Sequence, residues 1–214
     1  MLLNKLNILV ALTLFTAINC AAQTKPKATD FDLVNRQLTV TNDGTIHVNG
    51  VDSAGLVWLK GRKFTYGTIE FDIKGNDRLQ GSFVGLAYHG LNDSTYEAVY
   101  FRPFNFKADD SVRRSHAVQY IALPQYDWPM LREKYPNKYE FSVTPAPNPN
   151  DWFHAKIDVS PAKVSVYVNY AKKPALVVTP LTSTGGSKIA YWVGFGSPGD
   201  WKNLKIVKKK QLAF

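Results

Sequence analysis

Cysteine is nearly absent from this sequence: the one residue, Cys20, lies in an apolar leader. Once that leader is cut or acylated the chain keeps no thiol. It then has no disulfide, no thiolate metal site and no cysteine nucleophile, and its stability must come from an ordinary core. Histidine is scarce as well, at His47, His89, His116 and His154. No two of these share one element at metal-ligand spacing, so no zinc site is expected. The Gly-x-Ser-x-Gly elbow of serine hydrolases is missing. Gly185-Gly186 and Gly194-Phe195-Gly196 precede no helix and read as turns, which removes a phosphate-cradling loop. Long stretches of helical period are missing too, and no second apolar run is long enough for a bilayer. Acidic residues are outnumbered 17 to 26, for a net charge of +9. The basic residues match no nucleic-acid motif, so no nucleic-acid partner is expected.

The leader is informative in itself. Lys5 is the first charged side chain, and Leu6 to Ile18 is apolar apart from Asn7, Thr13 and Thr16. That is the length of a signal-peptide core and too short to cross a membrane. The small residues Cys20, Ala21 and Ala22 then place cleavage after Ala22. A lipid anchor at Cys20 is the rival processing, and the membrane is expected as a partner only through that anchor. Either way the expectation is a secreted, periplasmic or cell-surface protein. Residues 1–22 form the signal segment, 23–30 a linker, 31–207 the folded domain and 208–214 a basic tail.

Beyond the leader, period-2 alternation dominates. In Thr68 to Ile73, the residues Ile69, Phe71 and Ile73 share one face, and Thr68, Glu70 and Asp72 the other. In Lys163 to Val168 the valines face one way. About a dozen such segments alternate with turns like Asn42-Asp43-Gly44, Asn49-Gly50 and Gly75-Asn76-Asp77. The expected fold is therefore all-β, a two-sheet antiparallel jelly-roll sandwich. One stretch breaks the rhythm. Pro124 to Asp151 is rich in proline and in aromatics, which excludes a central strand. We read it as a long structured loop over one face, with a short helix over Pro129 to Lys134 that has Pro129 in its first turn and Asp127 as its cap.

Three segments carry a resemblance. Trp58 to Asp72, with Tyr66-Gly67-Thr68-Ile69-Glu70-Phe71, resembles the opening strand of concanavalin A-like lectin and glucanase domains. Laminin G-like and 3-keto-disaccharide hydrolase-like bacterial domains share that start. The closing strand Asp200-Trp201-Lys202-Asn203-Leu204-Lys205-Ile206 and the strand Trp152 to Ile157 are also similar to theirs. The resemblance spans roughly Phe31 to Val207 and implies a jelly roll that handles carbohydrate. The Glu-x-Asp-x-x-Glu motif of laminarinase-like members is absent, because Glu70 and Asp72 are followed by Gly75. The Gln-x-His strand of jelly-roll alginate lyases is absent too, since Gln119 is followed by Tyr120-Ile121.

The densest polar and aromatic block runs from Tyr96 to Trp128. Tyr96, Ala98, Tyr100 and Arg102 alternate onto one face, and Glu97, Val99 and Phe101 onto the other. Aromatic faces stack on pyranose rings, and Arg, Asn, Gln and His hydrogen-bond to hydroxyls. The candidate ligand residues are Tyr100, Arg102, Asn105, Arg114, His116, Gln119, Tyr126 and Trp128, with His89 at the rim. They are expected on a concave sheet beneath the long loop. Three functions follow: a glycan-binding module, a hydrolase or lyase of the same fold, and a protein-binding adhesion module. The enzyme would use His89 or His116 as base, with Arg102 or Arg114 neutralising charge, or a carboxylate pair of Glu97 with Glu70 or Asp72. No cofactor is expected. Asp200, after Gly199, is the one candidate for a structural Ca²⁺.

Overall fold

The computed structural model describes residues 25–182 and 185–209. The apolar leader, the cleavage position, Cys20 and residues 210–214 lie outside the described residues. Among the described residues no helix is long and apolar enough to cross a membrane.

The chain begins with short strands β1 (Phe31–Val34), β2 (Leu38–Val40) and β3 (Ile46–Val48). Next come β4 (Gly55–Leu59), β5 (Gly67–Lys74), β6 (Val84–Asn92) and β7 (Thr95–Phe101). Helical turn α1 (Ser111–Arg114) leads to β8 (Val118–Leu123), and helix α2 (Trp128–Lys134) leads to β9 (Glu140–Phe141). The chain closes with β10 (Phe153–Val159), β11 (Val164–Val168), β12 (Leu176–Val178), β13 (Lys188–Val193) and β14 (Gly199–Lys208). These strands form two antiparallel seven-stranded sheets. One runs β1-β4-β13-β6-β7-β8-β9 and the other β12-β11-β10-β5-β14-β3-β2. Each sheet joins strands from both ends of the chain, the crossed connectivity of a jelly roll.

Alternation decides which face each residue serves. Along β5 every second residue is buried, which leaves Ile69, Phe71 and Ile73 inside. In the first sheet one registered row reads Val57, Tyr191, Leu86, Val99 and Tyr120. This is the inner face. Tyr191 meets Trp201 of the opposite sheet at 5.2 Å between ring centroids, and Phe101 meets Phe153 at 5.0 Å. Burying such aromatic side chains contributes about 2–3 kcal/mol each, so this interlayer supplies most of the stability.

Two strands were not read from the sequence. β1 is an edge strand with only Phe31 fully buried, so its alternation is weak. β9 is two residues long and is held by pairing with Val118 and Gln119. The Pro-rich stretch does carry the helix expected after Asp127, whose carboxylate accepts the Trp128 N–H at 2.7 Å. Lys208, assigned by sequence to the tail, is the last residue of β14, because it pairs with Gly67 and the next amide donates to the Tyr66 carbonyl.

Candidate functional site

The outer face of the first sheet is built from two aromatic rows flanking a row of small residues. One registered row reads Trp192, Gly85, Tyr100, Gln119 and Glu140 across five strands. The next reads Ala190, Ala87, Ala98 and Ile121. Beyond it Tyr96 sits opposite Leu123. Gly85 separates Trp192 from Tyr100 by a full strand, yet the two rings lie 4.6 Å apart. They meet because the glycine between them has no side chain. A Cβ there would sit 2.2 Å from the Val99 carbonyl oxygen and 2.6 Å from Tyr100 Cβ. Gly85→Val is expected to cost about 1–3 kcal/mol or more by overpacking. It should also part the two rings, and urea unfolding followed by tryptophan fluorescence reads both effects.

This face carries a cavity of about 740 Å³. Tyr96, Tyr100, Ile121, Leu123 and Trp192 form its floor. One wall is α2, with Asp127, Trp128 and Arg132. Another is the segment from Arg102 to His116, with Phe104, Asn105 and Arg113; Leu79, Phe83 and Phe195 complete the rim. The surface is mainly aromatic and apolar, with a few convergent polar groups, the usual make-up of a small-molecule site.

Three of those polar groups, Arg132, Arg102 and His116, gather around one buried carboxylate. Glu140 accepts from Arg132 through both Nε and Nη2 at 2.7 Å. Arg102 Nη1 lies 3.6 Å from it, and His116 Nδ1 2.9 Å. This two-pronged pair fixes the Arg132 guanidinium, whose pKa it holds above the ordinary arginine value. Arg132 in turn stacks over the Trp128 ring at 4.9 Å, one helical turn away. Trp128 is 42 % exposed at the cavity edge, so it presents a ring whose orientation is set by Glu140 through Arg132. Arg102 is buried beneath. It donates to the His116 carbonyl, the Tyr100 hydroxyl and Gln119 Oε1 at 2.8, 2.8 and 3.2 Å. Burial pushes the Tyr100 hydroxyl up to about 12, which keeps it protonated. His116 moves the other way. Desolvation lowers its pKa against the pull of Glu140, and Arg132 and Arg102 lower it further, so the imidazole is neutral at pH 7.

Of the residues singled out in the sequence, Tyr100, Arg102, Asn105, His116 and Trp128 line this cavity. Gln119 lies under it, buried as the acceptor of Arg102. Tyr126 pairs its backbone with Ala122 and packs on the core. Arg114 points away, donating to the carbonyls of Ala108 and Asp109, because adjacent residues of a helical turn diverge by about 100°. His89 is no rim residue. It is buried between the layers, with Nδ1 2.8 Å from Glu97 and Nε2 2.5 Å from the Thr65 carbonyl. Glu97 lies on the inner face and Glu70 and Asp72 on the outer face of the other sheet, so these carboxylates do not meet. Asp200 is engaged by His47 at 2.6 Å, and among the described residues no three His, Cys, Asp or Glu side chains gather as metal ligands.

Tyr96, Arg113, Arg132 and Trp192 were not singled out. Alternation already set Tyr96 beside Tyr100, and Arg132 stands four residues after Trp128 in the expected helix; both signals were in the sequence. Trp192 gave none, since only cross-strand register brings it to Tyr100.

Solved structures resemble this architecture. The carbohydrate-binding module CBM66 of Bacillus subtilis aligns with a TM-score of 0.58 at 12% identity, over 82% of this chain and 93% of its own. The exoplasmic/lumenal domain of VIP36, bound to Ca²⁺ and Man3GlcNAc, gives 0.54 at 11% identity over 87% of each chain. A candidate glycosyl hydrolase of Parabacteroides distasonis gives 0.54 at 12% identity, over 80% of this chain and 90% of its own. No protein-family model and no curated protein sequence matches the chain. The fold is the concanavalin A-like jelly roll. Identities this low speak to fold alone.

Proposed function

We propose that this is an exported carbohydrate-binding protein that takes an extracellular glycan into the cavity on the outer face of its first sheet. The observation that carries the reading is the aromatic-walled cavity with Trp128 presented at its edge and held by Arg132 and Glu140. A sugar ring stacks its apolar face on such an indole, while Asn105, His116 and Asp127 offer hydrogen-bond partners for hydroxyls. Both the carbohydrate-binding module and the Man3GlcNAc-bound VIP36 domain of similar fold are named for, or bound to, carbohydrate, which agrees with this reading. The signal-like leader supports export. Binding is favoured over glycoside hydrolysis by the disposition of the acids. Among the described residues Asp127 is the one carboxylate on the cavity lining, and it caps α2, while Glu140 is committed to its cations.

A glycan array with the purified protein tests the reading, followed by assays of the hits for new reducing ends or unsaturated products. Hits without products are expected. Trp128→Ala should weaken the best hit about tenfold or more, roughly 1.4 kcal/mol per factor of ten, with little loss of stability. An array with no hits would sink the carbohydrate reading. Products would replace it with an enzyme using His116 as base.

A further inference from the structure

We propose that the glycan is anionic, carrying a uronate carboxylate or a sulfate ester, and that Arg113 is the cation that meets it. This rests on the cavity being the glycan site. The inference comes from asking which charges around the cavity are already satisfied. Glu140 is satisfied by Arg132 and by Arg102. Arg132 is therefore spoken for, and Arg102 spends its hydrogen bonds on His116, Tyr100 and Gln119.

Arg113 differs from both. Its Nε donates to Asn105 Oδ1 at 3.3 Å and its Nη2 to the Phe104 carbonyl at 2.9 Å. Both acceptors are uncharged, and among the described residues no carboxylate stands within 4.0 Å of this guanidinium. Two of its five donors are used, which fixes its plane and leaves the Nη1 end of the fork open. The side chain is half-buried on the cavity wall beside Phe104. In that setting a positive charge lacks part of its hydration and has no protein counter-charge to replace it. An oxyanion on the ligand supplies one. A guanidinium fork takes a carboxylate or sulfate through two parallel hydrogen bonds, and an apolar wall strengthens the attraction. The overall charge of +9 adds a field that draws anionic polymers toward the molecule.

The test is calorimetric titration of the whole protein with matched oligosaccharides. One pair is oligogalacturonate and its methyl ester; the other is an agarose-type galactan oligosaccharide and its sulfated form. We expect at least one anionic member to bind ten times or more tighter than its neutral partner. That preference should shrink on going from low salt to about 0.3 M. Which pair responds distinguishes carboxylate from sulfate. Arg113→Gln should abolish the preference for the anionic member, and Arg113→Lys should keep part of it. Circular dichroism of each variant separates lost binding from lost folding. Equal binding of both members of each pair, or a preference that survives Arg113→Gln, would overturn the anionic assignment and leave carbohydrate binding standing. Failure of every glycan, neutral or charged, on the array and in the titration would remove both.

Discussion

Arg102→Ala is expected to lower the free energy of unfolding by about 3–5 kcal/mol, the loss typical of breaking one side of a buried ionic network. The guanidinium is 5 % exposed and lies 4.9 Å above the Tyr100 ring. Removing it takes donors from the Tyr100 hydroxyl, Gln119 Oε1 and the His116 carbonyl together, and it takes one cation from the surroundings of Glu140. Each acceptor left buried without a partner adds about 1–3 kcal/mol of desolvation cost, partly relieved where water can enter. Urea unfolding reads this directly. With slopes of about 1–3 kcal/mol per molar, the midpoint should fall by at least 1 M. A loss below about 1 kcal/mol would show that the network is not structural and that Arg102 is available to a ligand. In the expected case Arg102 acts as a positioning residue, holding Tyr100 and the chain at His116 against the cavity while Trp128 and Arg113 do the contacting.

Glu97→Ala is expected to cost a similar 3–5 kcal/mol, at a place far from any ligand. Glu97 is fully buried between the sheets, accepting from the Tyr120 hydroxyl at 2.6 Å and lying 2.8 Å from His89 Nδ1. A carbonyl cannot donate, so the contact of His89 Nε2 with the Thr65 oxygen requires a proton on Nε2. Nδ1 then faces the Glu97 carboxylate, an arrangement that suits the doubly protonated ring. Burial by itself lowers the His89 pKa, but the Glu97 and Thr65 hydrogen bonds outweigh it and the net direction is upward. A histidine whose folded pKa is raised contributes stability that is fully present below its unfolded value of about 6.5. That contribution is lost as pH rises through the folded value. Urea midpoints measured from about pH 6 to pH 9 should therefore fall with pH in the native protein, and fall less in Glu97→Gln. Parallel pH profiles for the two proteins would refute the coupling.

These two buried networks mark the limit of what the chain discloses when read linearly. The jelly roll was legible because its signals are local. Alternation in Thr68 to Ile73 and Lys163 to Val168, with Asn-Gly and Asn-Asp-Gly turns between runs, specifies half-buried strands without reference to partners. The helix after Asp127 was legible for the same reason, since a cap and a proline in the first turn act locally. The edge strand β1 and the two-residue β9 were not, because pairing rather than their own sequence keeps them extended.

The cavity divides in the same way. Sequence alone determined that Tyr96, Tyr100 and Arg102 share a face opposite Glu97, since a strand alternates with period two. It also placed the aromatic helix next to that block. Tertiary structure decided which of the two faces meets the other sheet, and so made Glu97 a core residue and Tyr100 a cavity residue. It decided as well that Gly85 lets Trp192 reach Tyr100, that Glu140 collects Arg132, Arg102 and His116, and that Arg113, not Arg114, lines the site. Those contacts join residues far apart in the chain. Their geometry is set by strand register and by the direction of a single helical turn, and neither is written in the spacing of the residues that make them.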